Sequence, residues 1–365
     1  MRKSIFLPLF SVILFSVSSC SNKNAVTKNQ DLITIDVPIE ADQSTQLPRI
    51  SELFQVTDVM LSSPSLESMV GNVDEIKLCG DTLFILSDDA LLLFKTNGQF
   101  ITRIDKRGRG RGEYINITGF EIDQKNNNLL IFDRSTGMLR FTLDGKFIDK
   151  VQIKGMPLEF ALLPCGDYLF YSPMGIDNLK GLWRTDSKGN YKRHLLTLQE
   201  YDLSIITGTN RLTQINDSVI GFMGPENPDL FYHITDDTIV PSYYVTSHFG
   251  NSKVILDEIA LPPYVKTGYC ESDELLIFYM QDTADNTYIR TIYNKKTGHL
   301  MHRHSTNDKA STDPDYKVPS FRNGYKNCMF NYISVSRILK DDNLRAQYPD
   351  ITEDSNPVIQ IYRPK

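Results

Sequence analysis

The strongest constraint on this chain is that it repeats. Phe94-Lys95-Thr96-Asn97-Gly98-Gln99-Phe100-Ile101 recurs as Phe141-Thr142-Leu143-Asp144-Gly145-Lys146-Phe147-Ile148, an offset of 47 residues. Asn-Gly and Asp-Gly between apolar runs mark tight hairpins, because the type I′ turn needs positive φ. Weaker copies place Gly189 within Trp183–Tyr191 and Gly298 within Tyr293–Leu300, and Tyr232–Ile239 is a degenerate copy without the glycine. A second element, a polar turn entering a short apolar strand, starts at Asp81, Asn127, Gly166, Asp217, Asp273 and Lys326, at separations of 46, 39, 51, 56 and 53 residues. Such near-continuous apolar runs fit strands buried on both faces. Four strands in about 40–50 residues is the unit of a propeller blade.

The chain therefore reads as all-β, a six-bladed β-propeller over residues 49–365. Radial repetition also suits the length, since a single conventional core stops growing near about 250–300 residues. The ends predict closure. Val358-Ile359-Gln360-Ile361-Tyr362 matches the third strand of a blade with no fourth after it. The strand-like Leu53–Leu61, ahead of the first full blade, is expected to supply that fourth strand and remove an exposed edge. Between Asn331 and Asn356 the last blade carries an insertion, with helical spacing from Val335 to Gln347 that Pro349 ends.

The N-terminus gives an address. Arg2 and Lys3 precede an apolar stretch from Ile5 to Val17, and Ser18-Ser19 run into Cys20. A basic start, a short apolar region and small residues before a cut read as a secretory signal, too short to span a bilayer. The cysteine resembles that of the bacterial lipobox, which makes residues 1–19 a signal peptide, Cys20 the lipidated residue and membrane anchor, and residues 20–48 a flexible tether. Ser21 favours the outer membrane by resemblance to enterobacterial sorting. No acidic run follows the cysteine, so a periplasmic-facing position is expected over surface exposure. Net charge is −6 with a pI near 5.6, which argues against nucleic acid as a partner. Cys79, Cys165, Cys270 and Cys328 lie far apart without a Cys-x-x-Cys, so a zinc site built on them is not expected; disulfides and buried thiols both fit.

Gly108-Arg109-Gly110-Arg111-Gly112-Glu113-Tyr114, the turn at Lys125–Asn128, then Ile131-Phe132-Asp133 and Leu143-Asp144-Gly145 resemble NHL-type repeats. The whole layout is similar to the six-bladed β-propeller lipoproteins common in Bacteroides and relatives. That family has a lipobox, a closing N-terminal strand, a Gly-x-Gly-Pro-Gly-Glu-Tyr loop and an Ile-Tyr ending; here Arg111 stands where the loop usually has proline. The resemblance implies the fold and is almost silent on function.

Candidate chemistry is sparse. The glycine loop lacks the third glycine and the following helix of a dinucleotide site. Its glycines suit a tight crossing between blades, while Arg107, Arg109 and Arg111 could fork a carboxylate or phosphate ligand, or an anionic polysaccharide. Connections between blades share one end of a propeller with those joining second to third strands. Arg107, Arg109, Arg111, Tyr114, Arg134 and Tyr264 are therefore the expected ligand-binding residues. His302 and His304 point the same way on a strand and are weak metal candidates, set against ordinary edge protection. The acidic pairs Asp88-Asp89, Asp236-Asp237 and Asp341-Asp342 fit turn chemistry and match no calcium loop, although calcium in the channel would suit the enzymes of this fold. Trp183 is expected in the core. Asp-Ser/Thr-apolar tripeptides at Asp81, Asp217, Asp237 and Asp282 resemble Bacteroidetes O-glycosylation acceptors. With no Gly-x-Ser-x-Gly element and no paired nucleophile, the expectation is a non-catalytic envelope protein binding a glycan, peptide or protein partner at the channel mouth. The competing readings are a calcium-dependent hydrolase or lyase, and an accessory subunit or sensor of an outer-membrane uptake system.

Overall fold

The computed structural model describes residues 32–37, 49–175, 178–198, 211–224, 230–247, 255–256, 259–260, 264–282, 288–304 and 320–365. The chain enters through β1 (Ile33–Val37), then α1 (Ile50–Leu53) and β2 (Phe54–Met60). The first sheet is β3 (Val73–Cys79), β4 (Thr82–Ser87), β5 (Ala90–Lys95) and β6 (Phe100–Ile104). The second is β7 (Gly119–Asp123), β8 (Asn128–Asp133), β9 (Gly137–Thr142) and β10 (Phe147–Val151). The third is β11 (Glu159–Leu162), β12 (Tyr168–Ser172), β13 (Gly181–Thr185) and β14 (Tyr191–Leu196). Next come β15 (Leu212–Gln214), β16 (Ile220–Met223), β17 (Leu230–Ile234) and β18 (Ile239–Ser247), then the short pair β19 (Ile255–Leu256) and β20 (Ile259–Ala260). A further four-stranded sheet holds β21 (Tyr264–Glu271), β22 (Leu275–Asp282), β23 (Tyr288–Asn294) and β24 (Leu300–His304). The chain ends with β25 (Asn323–Tyr325), β26 (Cys328–Ile333), α2 (Val335–Lys340), α3 (Asp342–Gln347) and β27 (Val358–Pro364).

The fold is all-β, with small sheets arranged as a propeller. Four sheets stand alone as four-stranded antiparallel blades, where the repeat predicted six. The remaining strands run into one nine-stranded sheet, ordered β1-β18-β17-β16-β15-β25-β26-β27-β2. The physical reason is a single parallel pair, Gln214 with Tyr325, that bonds β15 to β25. Closure follows expectation: β2 pairs antiparallel with β27 from Phe54 opposite Pro364 to Met60 opposite Val358. Ile33–Val37, inside the stretch expected as a tether, is a strand paired in parallel with β18. Its alternation explains this: Ile35 and Val37 are buried against Met223, Phe231, Val245 and Phe278, while Ile33 stays exposed.

Packing is cyclic. Val59, Ile359 and Ile361 pack with Val73, Ile76 and Ile85 of the first sheet. On the other side Phe54, Met329 and Tyr362 pack with Leu275, Ile277 and Ile292. Trp183 is buried as expected, stacked on Phe170 at 4.7 Å, with its indole N–H donating to Ser172 Oγ at 3.0 Å. The expected helix in the last insertion is two helices, because the Asp341 carboxylate accepts from the Asn343 and Leu344 amides and starts a second one. Ile338, Tyr348, Ile333 and Val358 form the small core beneath them. Cys79, Cys165, Cys270 and Cys328 are free thiols.

The hairpin glycines do more than supply positive φ. Gly98 (φ +89°) lies against the Met60 carbonyl, Gly145 (φ +83°) against Ile104 and Gly189 (φ +81°) against the Gln152 carbonyl. Each turn thus seats on the outer strand of the preceding unit or the residue beside it, where a Cβ has no room. Gly80 (φ +59°) has the same backbone freedom and nothing near it. Gly80→Ala is expected to cost about 1 kcal/mol through φ alone. Gly98→Ala should add an overpacking cost of about 1–3 kcal/mol. Urea midpoints of the two variants test this, and equal losses would contradict the seating role.

Candidate functional site

The strands nearest the axis break the apolar pattern of their neighbours. Val73-Asp74-Glu75-Ile76-Lys77 on β3, Glu121 on β7, Glu159 on β11 and Thr213-Gln214 on β15 put polar side chains where the blades meet. They line a cavity of about 1030 Å³ that takes in residues of all the innermost strands, β3, β7, β11, β15, β21 and β25. A second cavity of about 320 Å³ lies on the side of the opposite turns, with Asp123, Gln124, Asp217 and Lys326. The two share Glu121, Gln214 and Tyr325, which therefore form a septum.

Lys77 holds that septum. Its ammonium lies 3.0 Å from Glu75 and 3.1 Å from Glu121, donates to the Phe120 carbonyl, and sits 4.7 and 5.2 Å from the Phe120 and Tyr325 ring centroids. Burial would drive the Lys77 proton off, but the two carboxylates outweigh it and raise its pKa. This ion cluster ties β3 to β7. Similar polar stitches recur. The Asn323 side-chain amide both accepts from the Ile76 N–H at 3.0 Å and donates to the Ile76 carbonyl at 2.8 Å. Glu159 Oε2 accepts from the Arg211 and Leu212 amides at 2.8 and 3.0 Å. Burial pushes the Glu159 carboxyl up to about 7, the amides opposing it. Away from the cavity wall, Glu271 accepts from the Tyr269 hydroxyl and lies 2.7 Å from His233 Nε2 and 2.5 Å from Lys295 Nζ. Its carboxyl is buried, yet His233 and Lys295 hold it below the usual range.

At the open end stand Asp74, the Asp88-Asp89 turn and Arg322, whose guanidinium donates to the Asp74 carbonyl at 2.9 Å and lies 3.3 Å from its carboxylate. Asp88 and Asp89 both have positive φ, 48° and 60°, as a two-residue hairpin requires. Burial and repulsion from Asp88 and Asp89 raise the Asp74 pKa against the pull of Arg322. Tyr288, Arg290 and Tyr332 complete this end.

The residues expected to bind ligand are dispersed. Arg134, in the β8–β9 turn, is exposed and lines the cavity. Tyr114 is fully buried, accepting from the Lys106 amide and donating to the Ile104 carbonyl at 3.2 Å, so it is an anchor and its hydroxyl is pushed up to about 12 by burial. Arg107 pairs with Asp105 at 3.2 Å. Arg109 and Arg111 are exposed on the same loop, outside the cavity lining, with Gly112 against Phe147 of an outer strand. The loop glycines answer to Glu113, whose carboxylate folds back onto the Gly110 amide at 2.7 Å and fills the space a Cβ of Gly108 would need. Tyr264 opens β21 opposite Asp282, and its side chain lies outside the described residues. His302 and His304 are on β24, the outermost strand of its sheet, opposite Thr291 and Ile289; their side chains also lie outside the described residues, as does Cys20. Among the described residues no three His, Cys, Asp or Glu side chains are grouped to hold a metal ion. Sequence reasoning missed Glu75, Lys77, Glu159 and Arg322; the available signal for the first three was charge inside innermost strands, and Arg322 lies just ahead of β25.

With this arrangement the molecule is defined as a β-propeller with a polar chamber on its axis. The chain belongs to the family described as Domain of unknown function (DUF4934), whose model matches residues 35–363. A solved structure from Bacteroides fragilis NCTC 9343, of a protein whose name describes it as exported, is similar over 91% of this chain and 99% of that one, at 17% identity and a TM-score of 0.73. More distant are the dihydro-heme d1 dehydrogenase NirN (12% identity, TM-score 0.37, 70% and 54% covered) and BamB from Moraxella catarrhalis (12%, 0.39, 69% and 79%). No curated protein matches the chain.

A carboxyl raised from the ordinary Glu range to about 7 stabilises the fold fully at low pH, and that contribution is lost as pH rises through about 7. Glu159→Gln keeps an oxygen for the two amides. Its melting temperature relative to the parent is expected to climb from pH 5 to pH 8. Parallel pH profiles would contradict the assignment.

Proposed function

We propose that this is an exported, lipid-anchored propeller of six blades that binds a ligand at one end of its axis without transforming it. Six blades are supported by the nine-stranded sheet itself. Its halves, β15–β18 and β25–β27 with β2, each carry four strands in blade order and meet through one residue pair. Contacts run β7, β11, β15, β21, β25, β3 between the innermost strands, and Lys77–Glu121 joins the last to the first. The NHL-like motifs, the lipobox at Cys20 and the exported-protein name of the Bacteroides fragilis neighbour support the family and the envelope address, with the outer membrane and a periplasmic-facing position favoured by Ser21. Residues 1–19 would be the signal, and the tether would run from Cys20 to β1.

The carrying observation is the chamber of about 1030 Å³ open at the loop end. That volume is at the upper end of the range for small-ligand sites, and a few placed polar groups among aromatics are what such sites use. Among the described residues lining it there is neither histidine nor cysteine. Its inner carboxylates are engaged in the scaffold: Glu75 and Glu121 with Lys77, and Glu159 with backbone amides.

The test is thermal melting of the full chain in detergent with lysine-bearing and glutamate-bearing pentapeptides, and with neutral and acidic tetrasaccharides. One class is expected to raise the melting temperature saturably, by the equivalent of about 2.7 kcal/mol at a hundredfold excess over Kd. Tyr288→Ala should abolish the rise. No shift with any class, or conversion of the added compound, would overturn the proposal.

A further inference from the structure

The open end of the chamber is polar, yet its charges balance. Six carboxylates line the chamber against four cations, but the surplus lies deep. Glu75 and Glu121 are held by Lys77, and Glu159 by the Arg211 and Leu212 amides. At the mouth Asp74, Asp88 and Asp89 are matched in number by Arg134, Arg290 and Arg322. Two of these acids are also committed to the frame: Asp74 lies 3.3 Å from Arg322, and Asp89 accepts from the Ile117 amide at 3.1 Å. A ligand with a net charge therefore meets no opposite surplus at the mouth. Taking its charge out of water costs free energy that only such a partner returns.

Apolar anchorage is scarce too. Of the aliphatic residues in the described lining, Leu86, Ile117 and Ala161 are buried and Leu212 is half-buried. The wall has no open recess for the aliphatic side chain of a peptide. What it presents instead is uncharged. Asn116 is exposed and Asn331 half-buried, and neither side-chain amide has a partner among the described residues. Each offers a donor and an acceptor side by side. Tyr288, 43% exposed, and the half-buried Tyr332 add aromatic faces. A sugar ring answers to both features. Its hydroxyls donate and accept at once, and its face of C–H bonds packs flat on an aromatic ring. We propose, building on the mouth-binding reading above, that the occupant is an uncharged oligosaccharide, with one ring against Tyr288 and its hydroxyls on Asn116, Asn331 and the Asp88 carboxylate. Acidic glycans and peptides become outcomes of the test.

The test is a glycan array of neutral and acidic oligosaccharides probed with the full chain in detergent, followed by calorimetric titration of the strongest neutral binder. Binding is expected on neutral glycans. Its affinity should hold as salt rises from about 0.01 M to about 1 M, which cuts the screening length from about 30 Å to about 3 Å. Tyr288→Ala should weaken it about tenfold, the order of one aromatic contact, while Tyr288→Phe keeps it. Asn331→Ala should weaken it as well, and the melting temperature of each free variant should match the parent. Binding confined to acidic glycans, an affinity that collapses with salt, or full affinity in Tyr288→Ala and Asn331→Ala would each overturn the inference. If no neutral glycan binds while a pentapeptide raises the melting temperature, mouth binding stands and the sugar falls. If neither responds, both fall.

Discussion

Everything at the axis depends on one seam, the antiparallel pairing of β2 with β27. Strand pairs between adjacent chain segments form wherever a tight turn allows, but this one joins residues about three hundred positions apart and repays that loop closure only when complete. Its two faces are what make it sufficient. Val59, Ile359 and Ile361 bury against the first sheet, and Phe54 with Tyr362 against the β21–β24 sheet. The insertion helices brace it from outside, where the Tyr348 hydroxyl donates to Asp58 at 2.6 Å and the Gln360 amide to the same carboxylate at 3.0 Å. Asn356 adds a buried stitch, accepting from the Val70 amide and donating to the Ser62 and Ser68 carbonyls.

Once the ring is shut, the charged residues of the innermost strands have nowhere to go but the axis. A buried ammonium is tolerable only with its counter-charges in place, and the Lys77 cluster meets that condition while dividing the axial space into two chambers. The chamber at the loop end then inherits the surplus of carboxylates. Rigidity there comes from side chains that capture backbone amides of the loops. Asp133 is such a case: fully buried, it accepts from Ile115, Asn116, Ser135 and Thr136 amides, which hold its carboxyl below the usual range despite burial.

The repeat was legible because glycine turns have a local cause. Positive φ at Gly98, Gly145 and Gly189 can be inferred from the dipeptide, and the strand that follows each polar turn from its run of apolar residues. The closing strand was legible because a strand lacked its partner at one end of the chain and gained it at the other. The Gln214–Tyr325 bridge that merges two sheets was not, since nothing in either short strand marks a contact with the other. The site was read only in part. Arg134 reaches the chamber, but Tyr114, which looks like a ligand aromatic, is buried by the loop that Glu113 folds. Lys77 and Glu159 escaped notice because a lone charge in a strand looks solvent-facing until the ring places it at the centre. β1 was lost in a polar stretch for want of length: five residues with three alternating aliphatics give a weak signal without the partner strand.

Native-state hydrogen exchange on the backbone amides of β2 and β27 tests closure most directly. If the seam holds the ring, these amides exchange only through global unfolding, with protection matching that of β4 and β8 at the centre of their sheets. If β2 exchanges at the rate of a fraying terminus while β4 and β8 stay protected, the ring does not depend on the seam and this account of the axis fails.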